Sequence, residues 1–149
     1  MAGNWAMITF AHLDLITPTQ RVATPVHGRA DRLARMSDAV DPGVPPSGMG
    51  CVECDADNGW WVHLRRCAQC GHVGCCDTSP MQHATKHYVA SGHRLIQSYE
   101  PGEEWFWDFM LDAVTSGPRL ADPQHHPVDQ SVPGPEERVP DDWESYLND

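Results

Sequence analysis

All six cysteines of this 149-residue chain fall between positions 51 and 76, and five of its nine histidines lie between positions 51 and 93. No other feature restricts the possible folds as strongly. A disulfide framework has no use for histidine, whereas thiolate and imidazole together are the donor set of a soft or borderline metal ion. Cys51 and Cys54 form one Cys-x2-Cys knuckle, and Cys67 and Cys70 form another, with twelve residues between the two. Each knuckle lets two thiolates on a tight turn grip one tetrahedral ion. Cys75, His83, His87 and His93 follow and bring the donors to eight, enough for two closed four-ligand sites. A lone cysteine or histidine carries no such meaning; eight at these spacings select two zinc ions as the cofactor. Spacing alone leaves two pairings open. The ligands are interleaved between the ions, or the four knuckle cysteines hold one ion and Cys75 joins the three histidines on the other.

The rest of the chain agrees with a small metal-stapled unit. A core of about 60 residues buries too little apolar surface to offset its chain entropy comfortably, and metal supplies what is missing. Residues 1–50 carry four acidic and four basic side chains and end in the breaker-rich Asp41-Pro-Gly-Val-Pro-Pro-Ser-Gly, which reads as an arm and linker. Within it 30–39 is a candidate short helix, and Met36 a candidate second start. From Pro118 onward six prolines, eight acidic residues and two arginines leave no second core. Residues 113–149 are therefore expected to form an acidic, Pro-rich tail, extended or disordered, whose 141–147 end could dock back as one amphipathic turn.

Between these flanks, residues 51–112 read as an α+β domain, a small twisted sheet with one main helix. Strands are expected over 61–65, 93–99 and 105–109. The helix lies between the first two, with Ser79 as its cap, Pro80 at its first position and Gly92 in the left-handed conformation that ends it. A second, shorter helix also fits. The formal net charge of −11 argues against nucleic acid as a partner. The apolar run from Trp5 to Ile16 is broken by Thr9, His12 and Asp14, so neither a leader nor a membrane span is expected, and a reducing cytoplasm is the expected compartment.

The two knuckles, Trp61 seven residues after Cys54, Cys75 five after Cys70, the helical pair His83 and His87, and Ser-Gly-His at 91–93 together resemble the UBP-type zinc finger of ubiquitin-specific proteases and of a cytoplasmic histone deacetylase. The resemblance covers Cys51 to about Phe109. It implies interleaved ligation, with Cys51, Cys54, Cys75 and His83 on one zinc and Cys67, Cys70, His87 and His93 on the other. It also implies a pocket for the free C-terminal tail of ubiquitin, with Trp61, Trp105 and Trp107 as its aromatic walls. In this family an arginine two residues after the third cysteine ligand holds the tail carboxylate. Here that position is Asp77, so a ubiquitin tail is disfavoured and peptide or protein termini in general remain; Arg65, Arg66, Lys86 and Arg94 are the candidate replacements. Glu103, Glu104 and Asp108 would then favour a tail with basic residues. The expectation is a non-catalytic adaptor, since two four-ligand sites leave no open metal position. The alternative is a structural or zinc- or redox-responsive scaffold without a peptide pocket. Cys76 is left as a spare thiol, Trp60 as a core residue, and His63 and His72 as surface or supporting groups.

Overall fold

The computed structural model describes residues 40–147; the candidate helix at 30–39 lies outside the described residues. One five-stranded antiparallel sheet organises the chain. Its strands are β1 (Leu64–Cys67), β2 (Val73–Cys75), β3 (Leu95–Ser98), β4 (Phe106–Asp108) and β5 (Ala113–Thr115), in the order β2-β1-β3-β4-β5. A short helix α1 (Val52–Ala56) precedes the sheet, and the main helix α2 (His83–Ser91) crosses from β2 to β3. Among the described residues no helix is long and apolar enough to cross a membrane.

Each cysteine knuckle is built into a turn. Cys51 stands at the N-cap of α1 and Cys54 lies within that helix, so the Asp55 N–H reaches back to the Cys51 carbonyl at 2.9 Å. Cys67 ends β1 and Cys70 sits in the turn of the β1–β2 hairpin, closed by Gly71 N–H to the Cys67 carbonyl at 3.0 Å. Gly71 has φ +75°, and a Cβ there would lie 2.0 Å from the Pro45 carbonyl oxygen. Only glycine accepts both conditions, and the 44–47 segment is laid against the hairpin as a result.

α2 ends where expected, with Gly92 at φ 75° and its N–H bonded to the Tyr88 carbonyl. It begins later than expected. Ser79 does not cap it: its buried hydroxyl accepts the Val62 N–H at 2.9 Å instead. Gln82 adopts a left-handed backbone, φ 51°, that places His83 at the helix start.

The strand expected at 61–65 falls three residues further on, because Trp61 bridges a distant segment. Its N–H and C=O exchange hydrogen bonds with Gly134 at 2.8 and 2.9 Å. β5 lies beyond residue 112, and the chain after it keeps its extended, irregular character while packing onto the sheet. Leu120 joins Ala68 and Phe106 in one apolar cluster. His126 is buried, with Nε2 2.9 Å from Glu100. Arg66, also fully buried, donates to the carbonyls of Ala121, Pro123 and Val44. The turn Trp143–Tyr146 docks back through an edge contact of Tyr146 with Trp60. The main core is small, comprising Cys51, Cys54, Trp61, Leu64, Val73, Cys75 and Tyr99. Three of its seven members are thiols, so this core can close only if the thiols have something to hold.

Candidate metal centres

The eight expected donors gather in two groups of four, Cys51, Cys54, Cys75, His83 and Cys67, Cys70, His87, His93, with the ligand atoms of each group within 4.8 Å of one another. Donors around one tetrahedral zinc, with bonds of about 2.3 Å to sulfur and 2.0 Å to nitrogen, stand about 3.5 to 3.8 Å apart. In the first group His83 Nδ1 lies 3.2, 3.3 and 3.5 Å from the sulfurs of Cys51, Cys54 and Cys75, and Cys54 and Cys75 are 4.0 Å apart. In the second, Cys67 Sγ is 3.6 Å from His93 Nδ1 and Cys70 Sγ is 3.3 Å from His87 Nε2. Both groups fit zinc, and their pairing is the interleaved one.

Proton chemistry points the same way. Hydrogen bonds from the thiols of Cys51 and Cys54 hold Cys75 down at about 4, while the contacts of Cys54 with Cys51 and Cys75, and then burial, push the Cys54 thiol far upward. Three thiols crowded around one imidazole therefore cannot all ionise unless a cation compensates them. Burial pushes the Cys67 thiol up to about 11, so that sulfur too becomes a thiolate only on a metal. Burial, then the neighbouring His72 and His93, lowers His87 to about 4 and keeps its ring neutral and able to donate a lone pair. The start of α2 assists the first group directly, because the His83 N–H points at Cys75 Sγ over 3.2 Å.

His72 supports both groups. Its ring stacks on His87 with centroids 4.1 Å apart, and its Nε2 lies 2.7 Å from Glu53, whose other oxygen is 3.6 Å from Cys51 Sγ.

Beside the metal region, α2 and one face of the sheet enclose a pocket of about 230 Å³. Trp105, Trp107, Phe109 and Ile96 supply its apolar walls, with Arg65 and Asp77 among its polar ones. The Arg65 guanidinium lies over the Trp105 ring, 4.7 Å from its centroid, and Glu103 accepts the Trp105 indole N–H at 3.0 Å. Asp77 accepts the Thr85 hydroxyl at 2.6 Å.

Trp61, grouped with the pocket by resemblance, does not line it. It is 3 % exposed, packs into the core, and meets Arg138 over its ring face at 5.5 Å. Trp60, expected in the core, is half-buried against Tyr146 instead. One residue of register separates the two indoles, and the Trp61–Gly134 bridge decides which turns inward. Among the four basic candidates only Arg65 reaches the pocket: Arg66 is buried on the opposite face, Arg94 pairs with Asp108, and Lys86 is exposed on α2. Asp108 is therefore a buried ion-pair partner and not an exposed carboxylate. Cys76 lies buried beside the pocket with its sulfur 2.9 Å from the Thr78 hydroxyl.

A small antiparallel sheet crossed by one helix, with two interleaved Cys/His groups that fit zinc, defines a two-site zinc-finger domain. Residues 51–120 match the family described as Zn-finger in ubiquitin-hydrolases and other protein, which makes that segment a UBP-type zinc finger. A Rhodopseudomonas palustris protein whose structure was solved by solution NMR is 44% identical; the match covers 61% of this chain and 85% of that one, with a TM-score of 0.49. Among curated proteins none matches the chain.

Proposed function

We propose that this zinc finger is a non-catalytic adaptor of a reducing, cytoplasmic compartment that recognises the C-terminal tail of a peptide or protein in the pocket beside its metal centres. The observation that supports this most directly is Arg65, a cation stacked on the pocket tryptophan Trp105. Two indoles and a phenyl ring offer flat faces to a narrow tail, and a guanidinium is suited to a terminal carboxylate. Each group of four Cys and His donors would fill the coordination of one zinc and leave no open position for water, so the ions would serve the frame and not a reaction.

Asp77 shapes the specificity. One of its oxygens is taken by Thr85, and the carboxylate as a whole repels a terminal carboxylate that approaches from its side. The tail therefore enters with its terminus toward Arg65 and carries a basic or neutral residue near Asp77.

Tryptophan fluorescence titration of the zinc-loaded protein with paired peptides, one ending in a free carboxylate and the other amidated, tests the reading. Binding of the free acid, loss of binding on amidation, and loss on Trp107→Ala without zinc release are expected. Equal binding of both peptides, or of neither, would sink it. Asp77→Arg is expected to improve binding of a tail ending in Gly-Gly by about tenfold, the worth of about 1.4 kcal/mol.

A further inference from the structure

A second cavity, of about 540 Å³, lies on the other face of the sheet. Alternation along β3 sends Ile96 toward the aromatic pocket, while Gln97, paired across the strands with Arg66 and Phe106, faces the segment that follows β5. The two cavities share no lining residue. Gln97 is 4 % exposed, lines this cavity, and has a side-chain oxygen with no hydrogen-bond partner. A buried acceptor left unsatisfied costs about 1 to 3 kcal/mol, so the position is one where a donor from outside would be received favourably.

The neighbouring groups are acceptors too. The Gln124 amide nitrogen donates to the Leu120 carbonyl and to Asp122, which leaves its oxygen available. His125 Nδ1 lies 2.8 Å from the His126 carbonyl and so carries the proton, leaving Nε2 to accept. Glu103 commits one carboxylate oxygen to Ser98 and Trp105, while Glu104 is exposed at the rim. Arg119, the cation among the lining residues, is turned to Asp122 at 2.7 Å. Buried Phe106 supplies an aromatic wall.

Several acceptors, uncompensated negative charge and a phenyl ring match a planar cation with many N–H donors. Lysine ammonium is compact and strongly hydrated; guanidinium is flat, weakly hydrated and carries five donors in a fixed fork. We propose that this cavity is a second binding site that takes the arginine side chain of a partner polypeptide. It stands apart from the tail pocket and does not depend on that reading.

The test is ¹H–¹⁵N NMR of the zinc-loaded full chain titrated with N-acetyl-arginine N-methylamide, with the citrulline counterpart as a neutral control. Saturable shifts at the Gln97 side-chain amide and the Glu104 backbone amide are expected, with binding of the citrulline probe weaker by about tenfold or more. Gln97→Leu removes the orphan acceptor, and Glu104→Lys reverses a charge at an exposed position that does not bear on folding; each is expected to weaken binding by about tenfold. If Gln97→Leu does not fold, Glu104→Lys decides alone. Absence of saturable shifts at these residues, equal binding of the citrulline probe, or unchanged affinity in Glu104→Lys would overturn the proposal.

Discussion

The two metal sites use the same side-chain chemistry in opposite settings. All four donors of the first are buried, whereas in the second only Cys67 is, with Cys70 exposed and His87 and His93 half-buried. The first draws on α1, β2 and the start of α2 and places three thiols in the main apolar core. The second fastens the β1–β2 hairpin turn to the middle of α2 and to the chain just before β3. One site is thus the centre of the fold and the other its clasp. Metal affinity alone does not explain such a division; burial does, because a sealed ion can leave only when the core opens.

Cys51→Ser breaks the comparison most severely. Structural zinc contributes an apparent free energy on the order of 10 kcal/mol, as large as the whole stability of a small domain. The variant should therefore be unfolded by circular dichroism and lose both ions in native mass spectrometry. A folded variant that keeps one zinc would show that the first site is no more central than the second. Cys70→Ser is the next largest change. It should lose one zinc, keep the other and remain folded with a lowered Tm, and chelator titration of the unaltered protein should remove its ions in two steps, with the exposed site emptied first.

The seal over the first site can also be probed. Glu100 accepts the Leu64 N–H at 2.7 Å and pairs with His126, holding the segment after β5 over the core. Burial opposes its charge, but the His63 ring 3.7 Å away and hydrogen bonds from His126 and the Leu64 amide outweigh it and hold the carboxyl at about 2, down from 4.5. A depressed carboxylate contributes stability that is complete above about pH 4.5 and is lost as pH falls toward 2. Glu100→Gln should cost about 2 kcal/mol at pH 7, measured by urea denaturation, and the gap to the unaltered protein should close as acid protonates Glu100. A gap independent of pH would remove the carboxylate from the account. The smallest effect belongs to Arg138, which donates to the Cys54 carbonyl at 3.0 Å and to Asp55 while lying over Trp61. Arg138→Ala should cost about 1 kcal/mol and hasten zinc release from the first site but not the second, followed with a colorimetric chelator.

The sites were legible because metal ligands must be particular residue types on tight turns, and the knuckles Cys51–Cys54 and Cys67–Cys70 announce both conditions. Gly92 was legible for a similar local reason. The interleaved pairing was not written in the spacing and came with the family resemblance. The start of α2 misled, since Ser79-Pro80 has the chemistry of a cap, and only the distant Val62 amide shows where that hydroxyl is spent. The segment after β5 was least legible. Its anchors are single residues far apart in sequence, such as Arg66 with the Ala121 carbonyl and Glu100 with His126, and no periodicity records them.

His83 and His87 stand one turn apart on α2 and belong to different metal groups. A single residue inserted or deleted between them would rotate one histidine by about 100° relative to the other and take it out of reach of its sulfurs. Substitutions on the outer surface of this helix can accumulate freely, but its length between these two positions cannot change. Descendants of this chain are expected to vary there in spelling and never in count.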